Sequence, residues 1–489
     1  MYKFVHKAGR WMNVFIVLFF LTLFPVTADA EELMTAVGFT VYLNDDTVPA
    51  GTGASDDAPA SLGAFTNNRD HMMYLSLRDL AALLSGTQAQ FQFALDQDTW
   101  TYTITKGTPY TAPVIEPEPK PQMQEGYHED EEGNIRNAED EVIWTADPSL
   151  PEQPDYEYLD LYINPLTVDG NEVKYYSYQL SVTQDLYMNP TDIQLMLGIT
   201  MAREPDGAIR IRTDRGFDVD LAAYESDGYF DFLNGVVVGD ATTGEILYGY
   251  KADNVDAIAS TSKLMTFLIA SRYLENGRIR MEDKVTLSEN VGALIDAGYG
   301  ILPAYVGQEV MFKDLMAAMM LPSSNEAALA IAEHVAGTEA EFVRLMNEMA
   351  ELLELKTARF YNASGLPVYS DTLIASVQEN KMSASDLFRL SAAVLQKYPD
   401  IIDITAQKKM NCPSFELEVE NTNHLLYNMS DCIGLKTGTT DEAGCCLAAA
   451  IRTEKDDGVH DLIAIVLGAN NNIDRYQVPQ LLLTWAAAQ

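Results

Sequence analysis

Ala259-Ser260-Thr261-Ser262-Lys263-Leu264-Met265-Thr266-Phe267-Leu268-Ile269-Ala270 joins a short polar run to an apolar one, the pattern of a buried helix that starts at its serines. Residues three apart share a helix face, so Lys263 falls within reach of the Ser260 hydroxyl. A serine hydroxyl is a poor nucleophile until a base takes its proton, and a desolvated lysine near a second cation is neutral enough to be that base. The helix N-terminus favours negative charge developing beside it. Alone, the same spacing also describes a capping serine with a surface lysine.

Two later stretches bear on that choice. Ser323-Ser324-Asn325 follows the apolar run Leu315 to Leu321 and the helix-breaking Pro322, and precedes a new helix at Glu326. By itself it reads equally as a plain helix junction. Lys436-Thr437-Gly438-Thr439 is preceded by Ile433-Gly434-Leu435 and followed by a turn and the strand Cys445 to Ile451. A strand carrying Lys, Thr and Gly can hold a carboxylate while letting a substrate backbone approach where no side chain intrudes. The other meaning of such a lysine is protection of an edge strand against aggregation.

In this order on one domain, the three stretches resemble the set shared by penicillin-binding proteins and class A β-lactamases. Residues 232–489 resemble a low-molecular-mass penicillin-binding protein of the serine-type D-alanyl-D-alanine carboxypeptidase family, peptidase family S11. Further family-like stretches are Ala327 to Gly337, Asn362-Ala363-Ser364-Gly365-Leu366 and Asn421-Thr422-Asn423-His424-Leu425-Leu426. The resemblance implies a β-lactamase/transpeptidase-like domain, a helical cluster on an antiparallel sheet, with the site between the Ser260 helix and the Lys436 strand. It implies Ser260 as nucleophile, Lys263 as general base, and Ser323 as a relay toward the leaving D-alanine. Asn325 would bind the substrate amide or hold Lys263. Lys436, Thr437, Gly438 and Thr439 would bind the terminal carboxylate and substrate backbone, with the N–H groups of Ser260 and Thr439 as oxyanion hole.

Two residues depart from the family pattern, which commonly has Gly where Ser324 stands and Asp where Glu326 stands. The reactive groups are intact; what the changes affect is peptide preference. A Glu-x-x-Leu-Asn stretch of the kind that lets class A β-lactamases clear their acyl-enzyme does not occur between Ser323 and Lys436.

The expected function is therefore removal of the terminal D-alanine from peptidoglycan stem peptides, with β-lactams as covalent inhibitors. The alternatives are endopeptidase cleavage of cross-links and a non-catalytic wall-binding or β-lactam-sensing surface protein. No metal or organic cofactor is needed, because lysine supplies activation and hydrogen bonds supply orientation.

Outside this domain the chain changes character. Residues 31–110 and 157–225 each run strand, helix, hairpin, with Leu77-Arg78-Asp79-Leu80 and Asn189-Pro190-Thr191-Asp192-Ile193 opening the helices. This reads as an internal repeat of about 110 residues. Both copies resemble the stalk-like module named for the N-terminus of copper amine oxidases, though neither has a His/Cys cluster with metal-ligand spacing. They are expected to be two small α+β spacers or wall-polymer-binding modules, making the chain an α/β multidomain protein. Residues 111–156, rich in Pro, Glu and Asp, read as a mobile extended linker. The catalytic domain is placed at 231–489.

With 489 residues and a net charge of -40, the chain has room for several cores and is ill suited to nucleic acid, whose phosphates require a basic patch. Residues 1–30 carry Lys3, Lys7 and Arg10, an apolar run, and Ala28-Asp29-Ala30, which reads as a signal peptide, with an uncleaved membrane anchor as the alternative. The expected location is secreted or held at the extracytoplasmic surface, with any tether N-terminal. Its 4 cysteines are too sparse for a disulfide framework; Cys412 and Cys432 either bridge or stay buried thiols.

Overall fold

The computed structural model describes residues 73–112, 161–180, 185–203, 208–369 and 377–489. It also describes residues 34–36, 41–44, 46–48, 62, 64–67, 128–129, 135–136 and 142–144. The signal-like segment 1–30 lies outside these residues.

Each repeat copy contributes a strand that runs directly into a capped helix. In the first, β1 (Met73–Ser76) leads into α1 (Leu77–Leu84), whose N-cap Ser76 accepts from the Asp79 N–H at 3.0 Å. In the second, β2 (Asp185–Met188) leads into α2 (Pro190–Leu197), with Asn189 as N-cap and Pro190 in the first turn.

The copies do not form two separate modules. β1 and β2 pair antiparallel at the centre of one six-stranded sheet. On either side, the hairpins are exchanged. The hairpin Phe91–Asp96/Thr101–Lys106 of the first copy takes up Leu166–Val168 of the second in parallel, and Ile209–Arg212 of the second takes up Val41–Leu43 of the first. One hydrophobic cluster contains Leu75, Leu80, Phe91 and Tyr102 together with Leu166, Ile193 and Ile211. An eight-residue helix and a hairpin bury too little surface alone, which is why the halves close on each other. Asp185 ties them: its carboxylate accepts from Ser76 Oγ at 2.5 Å and from the Arg78 N–H at 3.2 Å. Within the expected linker, His128–Glu129, Ile135–Arg136 and Val142–Trp144 form a small antiparallel sheet, and the Pro-rich stretch 116–121 lies outside the described residues.

The C-terminal domain is a five-stranded antiparallel sheet. It contains β3 (Gly235–Asp240), β4 (Glu245–Tyr250) and three long strands near the C-terminus. Helices α3 (Lys263–Glu275), α4 (Phe312–Met320), α5 (Asn325–Ala336) and α6 (Ala384–Lys397) pack on one face. The remaining strands, β5 (Cys432–Thr440), β6 (Gly444–Lys455) and β7 (Gly458–Ala469), give the order β4-β3-β7-β6-β5. Helix α7 (Asn472–Ala487) covers the other face.

The period of two is legible in β6: Cys446, Ala448 and Ala450 join the α3 to α6 core, whereas Leu447, Ala449 and Ile451 face α7. Val219, Leu221 and Phe230 also enter the α7-side core, so this domain recruits residues from before position 231. Met316, Met319 and Met320 are core residues, as their spacing implies. All four cysteines are buried free thiols.

Burial raises two carboxyls of the N-terminal unit, Asp185 to about 6 and Asp192 to about 7. A group whose folded pKa is raised in this way favours folding while protonated. That contribution is complete below the unfolded value of about 4 and is lost as pH rises through about 7. Asp192→Asn is expected to abolish the part of the stability loss that Asp192 causes between about pH 4 and pH 7. Parallel melting-temperature curves for variant and wild type would contradict this.

Candidate active site

Ser260 lies in the 3-10 turn Ala259–Ser262, which runs into α3 at Lys263. Side chains three apart eclipse in such a turn, which sets Lys263 directly over the hydroxyl. Lys263 Nζ is 2.7 Å from Ser260 Oγ, 2.9 Å from Asn325 Oδ1 and 2.8 Å from the Ser364 carbonyl oxygen. Two of these neighbours can only accept. A neutral amine has two N–H donors for them and a lone pair left for the Ser260 O–H. The lysine is fully buried, and burial, then the nearby Lys436, holds it well below the usual lysine range, opposed by Glu326.

The second motif sits between α4 and α5. Ser324 is the N-cap of α5, accepting from the Ala327 N–H at 2.9 Å. Asn325 opens the helix, its amide N–H₂ donating to the Tyr299 carbonyl at 3.2 Å while its oxygen receives Lys263. Ser323 occupies the connection at φ 71°, and the bonds of Lys263 go elsewhere. Glu326 is buried, and its Oε1 accepts from Ile301 and Leu302 at 2.6 and 2.7 Å, fastening the loop beside the site.

The third motif lies on β5, the terminal strand of the sheet, whose free edge faces the Ser260 turn. Lys436 is only 1% exposed, which removes the reading of an aggregation-blocking surface lysine. Burial, then Arg475, lowers it to about 7. A Cβ on Gly438 would stand 2.8 Å from the Ser260 backbone nitrogen and 3.1 Å from Ala259 Cβ. Only glycine lets this strand run so close to Ser260.

Sequence spacing misses several residues that hold these three stretches. Ser364 supplies the third partner of Lys263 from a turn held by Asn362, whose Oδ1 accepts from the Ser364 and Gly365 N–H groups at 3.1 and 2.6 Å. Thr422 accepts or donates at 2.6 Å with Thr437 and bonds the Leu321 carbonyl just before the second motif. Arg475 donates to Thr439 Oγ1 at 2.5 Å. The family-like stretches around Asn362 and Thr422 are the signal that points to the first two. His424, beside Thr422, is stacked on Tyr476 at 4.5 Å, and burial lowers it to about 4, a packed neutral ring.

This part of the chain is similar to known proteins. Residues 234–471 match the family model described as D-alanyl-D-alanine carboxypeptidase, Peptidase S11. D-alanyl-D-alanine carboxypeptidase DacF of Bacillus subtilis is 30% identical over 256 residues, 52% of this chain and 61% of the relative. DacD of Escherichia coli is 31% identical over 259 residues, 51% of this chain and 61% of the relative. The chain therefore spans about three fifths of the length of these relatives. A D-alanyl-D-alanine endopeptidase of Pseudomonas aeruginosa is 31% identical over 220 residues, 43% of this chain and 64% of the relative. Among solved structures, ampicillin-bound penicillin-binding protein D2 of Listeria monocytogenes aligns at 28% identity and TM-score 0.44, covering 52% of this chain and 96% of that one.

The turn that carries Ser260 is strained and tightly enclosed. Ala259 has φ 45°, and a Cβ on Gly365, itself at φ 90°, would come within 1.9 Å of the Ala259 carbonyl oxygen. Gly365→Ala is expected to cost about 2–4 kcal/mol of stability through overpacking and the unfavourable φ. It should also abolish acylation of Ser260 in the fraction that remains folded. Unchanged melting and labelling would refute this account of the turn.

Proposed function

The domain spanning residues 234–471 belongs to the peptidase S11 family, and we propose that this chain is a serine-type carboxypeptidase that removes the terminal D-alanine from peptidoglycan stem peptides. The observation that carries the reading is the Lys263 amine, buried and enclosed by Ser260, Asn325 and Ser364 at 2.7 to 2.9 Å.

Lys263 takes the Ser260 proton as Oγ attacks the carbonyl carbon of the penultimate D-alanine. The carbonyl electron pair moves to oxygen, stabilised by the N–H groups of Ser260 and Thr439. Collapse of this intermediate breaks the peptide bond, and the leaving amine of the terminal D-alanine receives a proton through Ser323. Water then adds to the acyl-enzyme and releases the shortened stem.

Lys436 and Thr437 receive the terminal carboxylate, and Gly438 leaves room for the substrate backbone beside the nucleophile. Glu326 and Asn325 fix the 299–302 loop along the cleft through the bonds to Tyr299, Ile301 and Leu302. Residues 1–30 direct export, which sets the site where stem peptides are. β-Lactams acylate the same Ser260 and are lost slowly, a reading supported by the lack of a Glu-x-x-Leu-Asn stretch between Ser323 and Lys436.

Purified full-length protein should release D-alanine from a peptide ending in D-Ala-D-Ala, and Ser260→Ala should release none. Release by neither, with cleavage of a cross-linked dimer by the wild type, would turn the assignment to an endopeptidase. Lys263→Ala should lower kcat/KM at least about 10³-fold. A loss under tenfold would remove lysine from the role of base.

The lowered Lys436 gives a pH signature. It binds carboxylate while protonated, and that charge is lost as pH rises through about 7. KM for a carboxylate-ended peptide should therefore climb between about pH 6 and pH 9, and KM for the matching methyl ester should stay flat. Parallel profiles for acid and ester would contradict the assignment.

A further inference from the structure

The N-terminal unit meets the catalytic domain through hydrogen bonds that converge on helix α7. Gln477, 1% exposed, donates from Nε2 to Asp192 Oδ1 at 2.9 Å and to Asn189 Oδ1 at 3.2 Å, both at the start of α2. Its Oε1 accepts from the Tyr229 hydroxyl. One turn on, Gln480 donates to the Tyr175 hydroxyl at 2.9 Å. Outside α7, Asn428 and the Lys174 backbone exchange two bonds, at 2.8 and 3.0 Å.

The residues just before Gln477 face the site. Arg475 Nη1 donates to Thr439 Oγ1 at 2.5 Å and lies 3.4 Å from the Gly438 carbonyl oxygen. The Tyr476 hydroxyl donates to the Thr422 carbonyl at 2.6 Å, and the Thr422 side chain meets Thr437 at 2.6 Å. Three consecutive residues of one helix thus touch the α2 start, the Thr422 turn and the β5 strand. A buried amide that bonds through both its donor and acceptor groups fixes the rotation and height of its helix far better than apolar contact does.

We propose that Gln477 is a positioning residue through which the docked N-terminal unit sets the carboxylate-binding strand. The unit is then a working part of the enzyme rather than a detached spacer. This rests on the carboxypeptidase reading given above. Loosening the Gln477 anchor lets α7 shift and displaces Arg475 and Tyr476 from Thr439 and Thr422. Lys263 and Ser260, held from α5 and the Ser364 turn, keep their geometry. The expected damage is confined to recognition of the substrate's carboxylate.

The test uses the full chain with Gln477→Met, which keeps volume and removes both hydrogen-bonding groups. KM for a D-Ala-D-Ala peptide should rise about tenfold or more with kcat within about threefold, and the preference for the acid over its methyl ester should fall by a similar factor. Asp192→Asn, which keeps an acceptor for Gln477, should keep the wild-type KM for both acid and ester. Gln480→Met, in the same interface but a turn farther from Arg475, should leave KM unchanged. Should Gln477→Met not fold, Tyr229→Phe removes a single hydroxyl and should raise KM about twofold to threefold. A folded Gln477→Met with wild-type KM, an equal loss on acid and ester, or the same loss from Gln480→Met would overturn the proposal. A wild type that reacts with neither peptide nor penicillin overturns the functional reading, and this proposal falls with it.

Discussion

Everything at the site depends on removing one lysine from water. Lys263 lies under Ser260 with Asn325 and Ser364 as its other polar neighbours. An ammonium there would face a desolvation cost with no carboxylate bonded to it among the described residues, beside a second buried lysine, Lys436. The protein meets that constraint by favouring the neutral amine, the form a serine nucleophile needs. In the proposed function, activation of Ser260 is thus a property of packing before it is a property of any substrate.

The constraint explains much of the surrounding architecture. Holding the amine dry requires α3, α5 and the 362–365 turn to converge, and the turn approaches so closely that Gly365 admits no side chain. On the other side, β5 passes close to the Ser260 backbone at Gly438. Thr422 then links β5 to the lead into the second motif through Thr437 and Leu321. The five-stranded sheet supplies the rigid edge, and α7 braces it from behind with Arg475.

The parts legible in the sequence are those with local causes. The Ser260 to Lys263 spacing fixes a shared face, and the Pro322 break and Ser324 cap fix where α5 begins, whereas the uniformly apolar run Cys445 to Ile451 reads as a strand without showing which face each residue takes. The three motifs in order carry the family. The exchange of hairpins between the repeat copies is not local: Leu166–Val168 and Val41–Leu43 read as strands, but their partners are chosen by which arrangement closes the shared core. Ser364 acts through its backbone carbonyl, a contribution no side-chain pattern announces. Arg475 and Gln477 look like ordinary residues of an amphipathic helix until α7 is placed between sheet and N-terminal unit.

The central claim is most directly tested by following the charge state of Lys263 with selectively labelled lysine in nuclear magnetic resonance titration, assigned by Lys263→Arg. The account predicts an amine that titrates well below the usual lysine range and moves up toward that range in Lys436→Met. An ammonium at Lys263 that titrates in the usual lysine range in the wild-type protein would contradict it.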